Sequence, residues 1–181
     1  MRLLKGNQAP AFLAQDIEGK TVTLSDYKDK KLLICFFRYA GCPFCQLAVR
    51  NLVFAYPELH KRGLNIITLF QSPKPSVLKY PGEFKPPFPL IPDPNEDIYN
   101  LYGIEDSLQG TIKGILDVQT IYKVIFKERI RQGKIDGDFL LMPGYFFIDA
   151  PNHTIQKAIY SDQFFYSSLF EQIEAFLSAP L

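Results

Sequence analysis

Hydrophobic and polar positions along the chain predict buried strands and amphipathic helices in turn. Six consecutive apolar residues, 32–37, are long enough for a strand buried on both faces. After a short turn, apolar residues recur at helical spacing until Gly63, which is a typical helix stop. A second apolar run, 64–70, is rich in β-branched residues and predicts another strand. Because a helix joins these strands, we expect them to be parallel neighbours.

The remaining segments predict a small number of elements around this unit. Before it, two short extended pieces meet at a tight turn, and after it comes a stiff proline-rich connector. The later elements are a short edge strand at 88–91, a short helix at 95–102, an antiparallel hairpin at 145–160 and a terminal helix at 167–177. A parallel βαβ unit followed by a hairpin and a helix is the plan of the thioredoxin fold. We therefore predict an α/β, thioredoxin-like fold with a central mixed sheet flanked by helices and an N-terminal hairpin extension.

Residues 107–131 form a predicted helical insertion in this plan. One apolar stripe runs from Leu108 to Leu116 and another from Ile121 onward, and the phase slips near Asp117. This pattern predicts two helices or one bent helix, closed at Gly133. Its basic residues could touch a membrane surface, but a solvated basic side over a packed apolar side is favoured. We expect the insertion to pack on the core or to form a subunit interface, which leaves a homodimer open.

Composition narrows the class of protein. The chain has 181 residues, 47% hydrophobic content and a formal net charge of +1, which predicts a single domain over residues 1–181. The near-neutral charge gives no reason to expect nucleic acid as a partner. No apolar run approaches a membrane span, and the first residues lack a signal-peptide core, so we expect a cytoplasmic protein without a membrane partner.

The chemistry of the chain is concentrated in Cys42-Pro43-Phe44-Cys45, at the start of the predicted first helix. Pro43 suits the first helical position, because its φ is already helical and its missing N–H would have had no intrahelical partner. A sulfur at a helix N-terminus lies beside unpaired N–H groups and the positive end of the dipole, which favours the reactive thiolate. Two cysteines separated by one helical turn can also form a disulfide. The motif predicts a redox-active, disulfide-forming centre.

Two other interpretations of the cysteines are weaker. A zinc site needs about four ligands, and the remaining candidates, Cys35, His60 and His153, lack ligand-like spacing. We predict no metal and no other cofactor. Inert structural cysteines are common in cores, but they rarely open a helix behind a strand. Cys35 is the exception, because it lies within the apolar strand, and we expect it to be a core residue.

Nearly the whole chain resembles the peroxiredoxin-like branch of the thioredoxin superfamily, the alkyl hydroperoxide reductase and thiol-specific antioxidant group. The resemblance is carried by five segments: Gly6–Phe12, Gly19–Tyr27, Leu32–Phe37, Tyr102–Ile104 and Phe146–Asp149. It covers about residues 5–105 and 140–178, so the helical insertion falls outside it. The resemblance implies a thiol-based antioxidant enzyme of the oxidoreductase class.

The motif of this group, Pro-x-x-x-Thr-x-x-Cys, is only partly kept. In register, Cys45 falls on the peroxidatic Cys, Cys42 on the Thr and Arg38 on the Pro, while Pro143 stands where the group has an Arg. The chain instead has the thioredoxin and glutaredoxin arrangement of Cys-x-x-Cys with a Pro before the final hairpin. This likeness implies a cis Met142–Pro143 bond within contact distance of Cys42.

Two of the four residues between the strand and the motif also bear on the site. Arg38 either supplies the missing positive charge to the thiols or is a solvated surface residue. Tyr39 either donates a hydrogen bond at the site or shields it from water.

Two reactions follow from these residues. The first is dithiol–disulfide exchange, in which Cys42, expected to be the more exposed sulfur, attacks and Cys45 resolves the mixed disulfide. The alternative is thiol peroxidase activity, in which Cys45 forms a sulfenic acid and Cys42 condenses with it. The substrate is accordingly a disulfide or a peroxide, with a thioredoxin- or glutathione-type thiol as electron donor. A binding module without turnover is disfavoured by the intact dithiol.

Overall fold

The computed structural model describes residues 1–164 and 167–179, and its centre is the predicted βαβ unit. Strand β3, Lys31–Phe37, is followed by helix α1, Pro43–Lys61, and by strand β4, Leu64–Phe70. Gly63 has a positive φ of 88° and ends the turn after the helix, a conformation that favours glycine. The two strands pair in parallel, with Ile34 opposite Ile67, so this prediction is confirmed.

In the described part of the chain, the main sheet has five strands, in the order β5 (Leu90–Pro92), β4, β3, β6 (Gly144–Asp149) and β7 (Thr154–Tyr160). Strand β5, Leu90–Pro92, extends the parallel side at one edge, where the short edge strand is predicted. Strands β6, Gly144–Asp149, and β7, Thr154–Tyr160, form the predicted antiparallel hairpin on the other side of β3. The sheet is therefore mixed, with β3 at its centre. This is the thioredoxin-like fold.

Both faces of the sheet are buried. Successive side chains of β3 point to opposite faces, and each face is covered by an apolar core. On one face, Leu33 and Phe37 pack with α1 and with the terminal helix α6, Leu169–Ser178. On the other face, Phe36 packs against the rings of Tyr99 and Tyr102, each with a centroid distance of 5.0 Å. Burial of this strand on both sides explains its uninterrupted apolar sequence.

The remaining elements pack on both faces of the sheet and at its edges. The N-terminal hairpin, strands β1 and β2, turns at Gly19, whose φ is 85°. The covering elements are β1 Leu13–Gln15, β2 Thr21–Thr23, the 3₁₀ turns Leu24–Tyr27 and Pro81–Phe84, and helices α2 Lys74–Lys79 and α3 Asp97–Leu101. In the part of the chain that the structure describes, no helix has the length and apolar character needed to cross a membrane.

The insertion consists of helices α4, Leu108–Leu116, and α5, Val118–Tyr122, which continues as one π-helical turn, Lys123–Lys127. The break falls at Asp117, as predicted. Helix α4, however, buries Gly110, Thr111 and Gly114 instead of its apolar stripe. The stripe is 50–71% exposed at four residues: Leu108, Ile112, Ile115 and Leu116.

The expectation that the apolar side of the insertion packs on the core is therefore wrong for α4. Close packing through small residues leaves no room for larger side chains on the buried side. Gly114 lies against the ring of Phe164, with the ring carbon Cε2 2.6 Å from where a Cβ would lie. A subunit interface at the exposed stripe stays a prediction.

The expectation that Gly133 closes the helical segment is also wrong. The last helical turn ends at Lys127, and Arg129 takes the positive φ of 56°. Gly133 instead packs its backbone against the ring of Tyr80 and the backbone of Gly41. The backbone of Gly133 approaches Tyr80 and Gly41 so closely that a residue with a Cβ would not fit.

Candidate active site

The two motif cysteines lie directly beyond the central strand, at the start of α1. Cys42 is the N-cap residue, with extended φ and ψ of −69° and 120°, and Pro43 occupies the first helical position as predicted. The Cys42 carbonyl oxygen accepts the first helical hydrogen bond, from the N–H of Gln46 at 3.0 Å. Cys45 follows in the first turn, and its side chain is hydrogen-bonded to that of Cys42. The helix start therefore brings the two sulfurs together, and they are not joined in a disulfide in this structure.

Both sulfurs are inaccessible to solvent. Cys42 is 0% exposed and Cys45 is 1% exposed. The expectation that Cys42 is the more exposed sulfur is therefore wrong. The cause is a segment outside the motif, residues 129–141, which runs over the helix start and which we call the strap.

Arg38 is a cation beside the dithiol and is itself buried, at 1% exposure. Its Nη1 lies 3.7 Å from the Cys42 Sγ, one turn along the chain. Nε donates to the Leu141 carbonyl oxygen at 3.0 Å, and Nη2 donates to the carbonyl oxygen of Phe139. Of the two alternatives for Arg38, the structure places it in the site and excludes a solvated surface position.

In the part of the chain that the structure describes, the charge of Arg38 has no carboxylate partner. Within residues 1–164 and 167–179, no Asp or Glu forms a salt bridge with it. A buried cation without an anion is costly, so a negative charge nearby is strongly favoured. The Cys42 sulfur, 3.7 Å from Nη1, can carry that charge. The site therefore favours the thiolate at Cys42.

The two thiols differ in acidity. Burial tends to raise the pKa of Cys42, but the hydrogen bond from Cys45, the charge of Arg38 and the N–H groups of Cys45 and Phe44 lower it to about 6. The pKa of Cys45 is raised well above its ordinary value, first by burial and then by its hydrogen bond and charge interaction with Cys42. The pair therefore holds one proton at neutral pH, on Cys45, and a charge on Cys42.

Aromatic rings enclose the guanidinium. The Arg38 carbon Cζ lies 3.9 Å from the ring centroid of Phe164, 5.0 Å from that of Phe139 and 5.3 Å from that of Tyr39. Such faces attract a cation and at the same time exclude water. Tyr39 therefore shields the site, while its hydroxyl donates outward to Gln132 Oε1 at 3.3 Å.

The strap is closely fitted to the loop before Cys42. The Gly133 N–H donates to the Gly41 carbonyl oxygen at 2.7 Å, and Gln132 Nε2 donates to the same oxygen at 3.2 Å. A Cβ on Gly41 would lie 2.7 Å from the carbonyl carbon of Gly133. Gly41 is required here because the two backbones meet without space for a side chain.

Polar residues that follow β4 fasten the strap from the other side. The Gln71 amide pairs with the backbone of Asp138, donating to its carbonyl oxygen at 2.8 Å and accepting from its N–H at 2.6 Å. The Asp136 carboxylate accepts hydrogen bonds from the hydroxyl groups of Ser72 and Ser76. The Ser72 hydroxyl oxygen also accepts from the Ala40 N–H at 2.8 Å, so one network joins strap and active-site loop.

The prediction of a cis Met142–Pro143 bond is wrong. Among the described residues, the cis peptide bond is Ala150–Pro151, in the hairpin turn. Leu141, two residues before Pro143, forms a bridge with Asp106, and its carbonyl oxygen accepts from Arg38 Nε at 3.0 Å. Pro143 is buried, and its carbonyl oxygen accepts from the Ser161 N–H at 2.9 Å.

Cys35 lies within β3 and faces the core that α1 covers. It is 0% exposed, and burial raises its pKa far above that of a free thiol. Its predicted role as a core residue is confirmed. Within the described ranges, no cluster of three or more Cys, His, Asp or Glu side chains could hold a metal ion.

Sequence reasoning missed the strap and its anchors. The carboxyl ends of β3 and β4 meet at one edge of the sheet because the strands are parallel, and polar residues follow both ends: Arg38 after β3, and Gln71 and Ser72 after β4. These polar residues at one sheet edge could have been recognised in the sequence as a possible site. The strap itself has only a short polar, glycine-containing run, which does not predict the segment that it covers.

The structure thus combines a thioredoxin-like sheet with a Cys-x-x-Cys at the start of its first long helix, where the pKa of Cys42 is lowered. The model of the AhpC/TSA family matches residues 5–158. The chain belongs to this family, and the resemblance found in the sequence is confirmed.

Two plant proteins illustrate the relationship. Peroxiredoxin Q, chloroplastic, of Triticum aestivum is 25% identical over 143 residues, which cover 77% of this chain and 66% of the relative. Peroxiredoxin Q, chloroplastic, of Sedum lineare is 23% identical over 137 residues, which cover 74% of each protein. The chain thus spans slightly less than two thirds of the wheat protein it matches.

Solved structures support the same fold. Peroxidoxin BcpB from Mycobacterium tuberculosis aligns with a TM-score of 0.71 at 15% identity, covering 97% of both chains. The thioredoxin domain of a thiol-disulfide oxidoreductase from Bacteroides vulgatus aligns with a TM-score of 0.63 at 20% identity, covering 97% of this chain and 99% of the other. The fold is therefore shared by proteins named for both chemistries.

Proposed function

We propose that this protein is a thiol peroxidase that uses the dithiol of Cys42 and Cys45. The observation that carries the proposal is the buried Arg38, which has no carboxylate partner in the described structure and directs Nη1 toward the Cys42 sulfur. A cation at this position stabilises both the attacking thiolate and the negative charge that develops on a departing peroxide oxygen. In this proposal Arg38 replaces two hydrogen-bond donors that the family has, the Thr at the place of Cys42 and the Arg at the place of Pro143.

The reaction proceeds in two steps. The Cys42 thiolate attacks one peroxide oxygen, the O–O bond breaks, and the departing oxygen takes up a proton to leave as water or an alcohol. Cys42 is then a sulfenic acid. The Cys45 thiol attacks its sulfur, a disulfide forms, and the hydroxyl group leaves with the Cys45 proton as water. Two thiols of an electron donor return the disulfide to the dithiol.

Burial of the dithiol favours a small substrate. A pocket of about 150 Å³ opens beside Phe44 and Phe164, whose rings are 5.5 Å apart and which lie next to the site. A peroxide of a few atoms needs only a small displacement of these rings, whereas a protein disulfide needs the strap to move. The peroxiredoxin names of the relatives support the same choice.

The electron donor is proposed to be a thioredoxin- or glutathione-type thiol. A yeast mitochondrial 1-Cys peroxiredoxin described as resolved through glutathione and thioredoxin systems aligns with a TM-score of 0.69 at 20% identity. We place the cycle in a reducing compartment such as the cytoplasm, because such donors keep thiols reduced there.

Dithiol–disulfide exchange is the second candidate. It is favoured by the lowered pKa of Cys42 and by the Cys-x-x-Cys itself, because exchange needs an acidified thiolate and a nearby resolving thiol. It needs no stabilisation of a departing oxygen. Both candidates use the same sulfurs, so they differ in substrate and rate.

Stopped-flow rates of the reduced protein with hydrogen peroxide and with a small aromatic disulfide distinguish them. We expect the peroxide reaction to be far faster than that of a free thiol, to be lost in Cys42→Ser and to end in a sulfenic acid in Cys45→Ser. A Cys35→Ala variant is the matched control and should react normally. An ordinary peroxide rate with fast disulfide exchange would contradict the proposal in favour of the second candidate. Loss of the peroxide reaction in Cys45→Ser but not in Cys42→Ser would transfer the attack to Cys45.

A further inference from the structure

Gln71 is a buried polar side chain that binds the strap at two points. It follows directly after β4 and is 1% exposed. Its amide accepts from the Asp138 N–H at 2.6 Å and donates to the Asp138 carbonyl oxygen at 2.8 Å. The strap backbone also lies flat against it, since a Cβ on Gly137 would lie 2.8 Å from the Gln71 carbon Cδ. This reciprocal pairing fixes one strap residue in both position and direction.

The residues next to Asp138 in the strap hold Arg38. The Phe139 carbonyl oxygen accepts from Nη2, and the Leu141 carbonyl oxygen accepts from Nε at 3.0 Å. A planar guanidinium with two of its nitrogens held has little freedom left. The remaining nitrogen, Nη1, is then directed to the Cys42 sulfur at 3.7 Å.

We propose that Gln71 is a positioning residue for the thiol chemistry: by holding Asp138 it keeps the strap carbonyls in place, and these aim Arg38 at the Cys42 sulfur. The inference rests on the proposed function in one respect, the role of Cys42 as the attacking sulfur. Gln71 acts through Arg38 and does not itself take part in bond making or breaking.

Among the described residues, Arg38, Cys45 and Tyr39 are the titratable groups that interact electrostatically with Cys42, so the effect of moving Arg38 is measurable. The Asp138 carboxylate on the strap is engaged elsewhere, because it accepts from the Leu140 N–H at 2.7 Å. Replacing Gln71 by an uncharged residue changes none of these charges. A change in Cys42 acidity in such a variant would therefore report the position of Arg38.

The test is the pH dependence of Cys42 alkylation by iodoacetamide, followed by peptide mass mapping. In Gln71→Met both hydrogen bonds to Asp138 are lost, and the alkylation midpoint should rise by about one pH unit, since a nearby cation is typically worth 1–3 units. In Gly137→Ala the added methyl group pushes the strap away from Gln71, and the shift should have the same direction. The second variant keeps the test decisive if Gln71→Met folds poorly.

Two comparisons separate positioning from ordinary stabilisation. Thr68→Val removes another buried hydrogen bond of β4, from the Thr68 hydroxyl to the Pro89 carbonyl oxygen at 3.0 Å, and should lower stability without moving the midpoint. In an Arg38→Met background, Gln71→Met should cause no further shift, because the group it positions is absent. An equal shift with and without Arg38, or an unchanged midpoint in folded Gln71→Met, would overturn the inference. Neither readout depends on peroxide turnover, so a failed peroxidase assay leaves this result interpretable.

Discussion

The guanidinium of Arg38 and the sulfur of Cys42 form a buried pair, with Nη1 3.7 Å from Sγ. Because both side chains are almost inaccessible to water, each group determines the cost of charging the other. The thiolate offsets a cation that has no carboxylate partner in the described part of the chain. The cation in turn lowers the pKa of a thiol that burial alone would raise. The two residues are one electrostatic unit.

Replacing Arg38 by Met should raise the pKa of Cys42 by about 1–3 units, since an opposite charge at this distance is removed. Alkylation rates of Cys42 as a function of pH measure the shift. Arg38→Lys should recover only part of it, because an ammonium group cannot bond two carbonyl oxygens in the geometry of the guanidinium fork. A Cys42 titration that is the same in Arg38→Met as in the unaltered protein would contradict the assignment.

Mild oxidation should join Cys42 and Cys45 in an intramolecular disulfide and leave Cys35 as a thiol. The first two sulfurs already contact each other, whereas Cys35 is buried within β3 and its pKa is strongly raised. Intact-mass measurement should show the loss of two hydrogens, reversed by a reductant. In Cys42→Ser this loss should disappear. Its persistence within a single chain would implicate Cys35 and refute the pairing.

Folding stability should depend on pH through Cys42. Its folded-state pKa of about 6 is below the ordinary value of 9.0, so its contribution is fully present above about pH 9 and is lost as pH falls to 6. Cys35 and Cys45 have raised pKa values, so their contributions are present below pH 9 and decline only above it. Urea unfolding between pH 6 and 8 should therefore show stability rising with pH, and this rise should be smaller in Cys42→Ser. Equal slopes in the two proteins would count against a Cys42 thiolate.

The Gly41→Ala substitution should displace the strap. The added methyl group would meet the backbone of Gly133 and Lys134, and overpacking of this kind typically costs about 1–3 kcal/mol. Cys42 should at the same time become more accessible to a bulky maleimide, since the cover is lifted. Lys134→Ala is the control, because that side chain is exposed and the strap backbone is unchanged. If Gly41→Ala has the stability and the maleimide reaction rate of the unaltered protein, the strap is not closely packed against residue 41 and the prediction is wrong.

The local elements of the site follow from sequence because they depend on short-range pattern. An apolar run buried on both faces predicts β3, helical spacing predicts α1, and a Pro at the first helical position locates the helix start. The position of Cys42 at a helix N-terminus, and hence its tendency to ionise, follows from these features alone. The helix that joins β3 to β4 also predicts that the two strands are parallel.

The tertiary structure decided which groups surround the dithiol. From the sequence alone, Arg38 could be a charge beside the thiols or a solvated surface residue. Nothing near it in the chain indicates that the carbonyl oxygens of residues 139 and 141 bind its guanidinium. Two predictions about the site were wrong: Cys42 is covered by the strap, and the peptide bond before Pro143 is trans.

The physical reason is the range of the interactions. Hydrophobic periodicity and helix-end chemistry act over a few residues, so the amino-acid sequence by itself determined the βαβ unit, the buried Cys35 and an acidified thiol at residue 42. Burial and charge pairing depend on which distant segments meet, and about a hundred residues separate Arg38 from its strap carbonyls. Only the tertiary structure could therefore decide that the dithiol is covered, that its cation lacks a carboxylate in the described structure, and that small residues, not the apolar stripe, fasten α4 to the core.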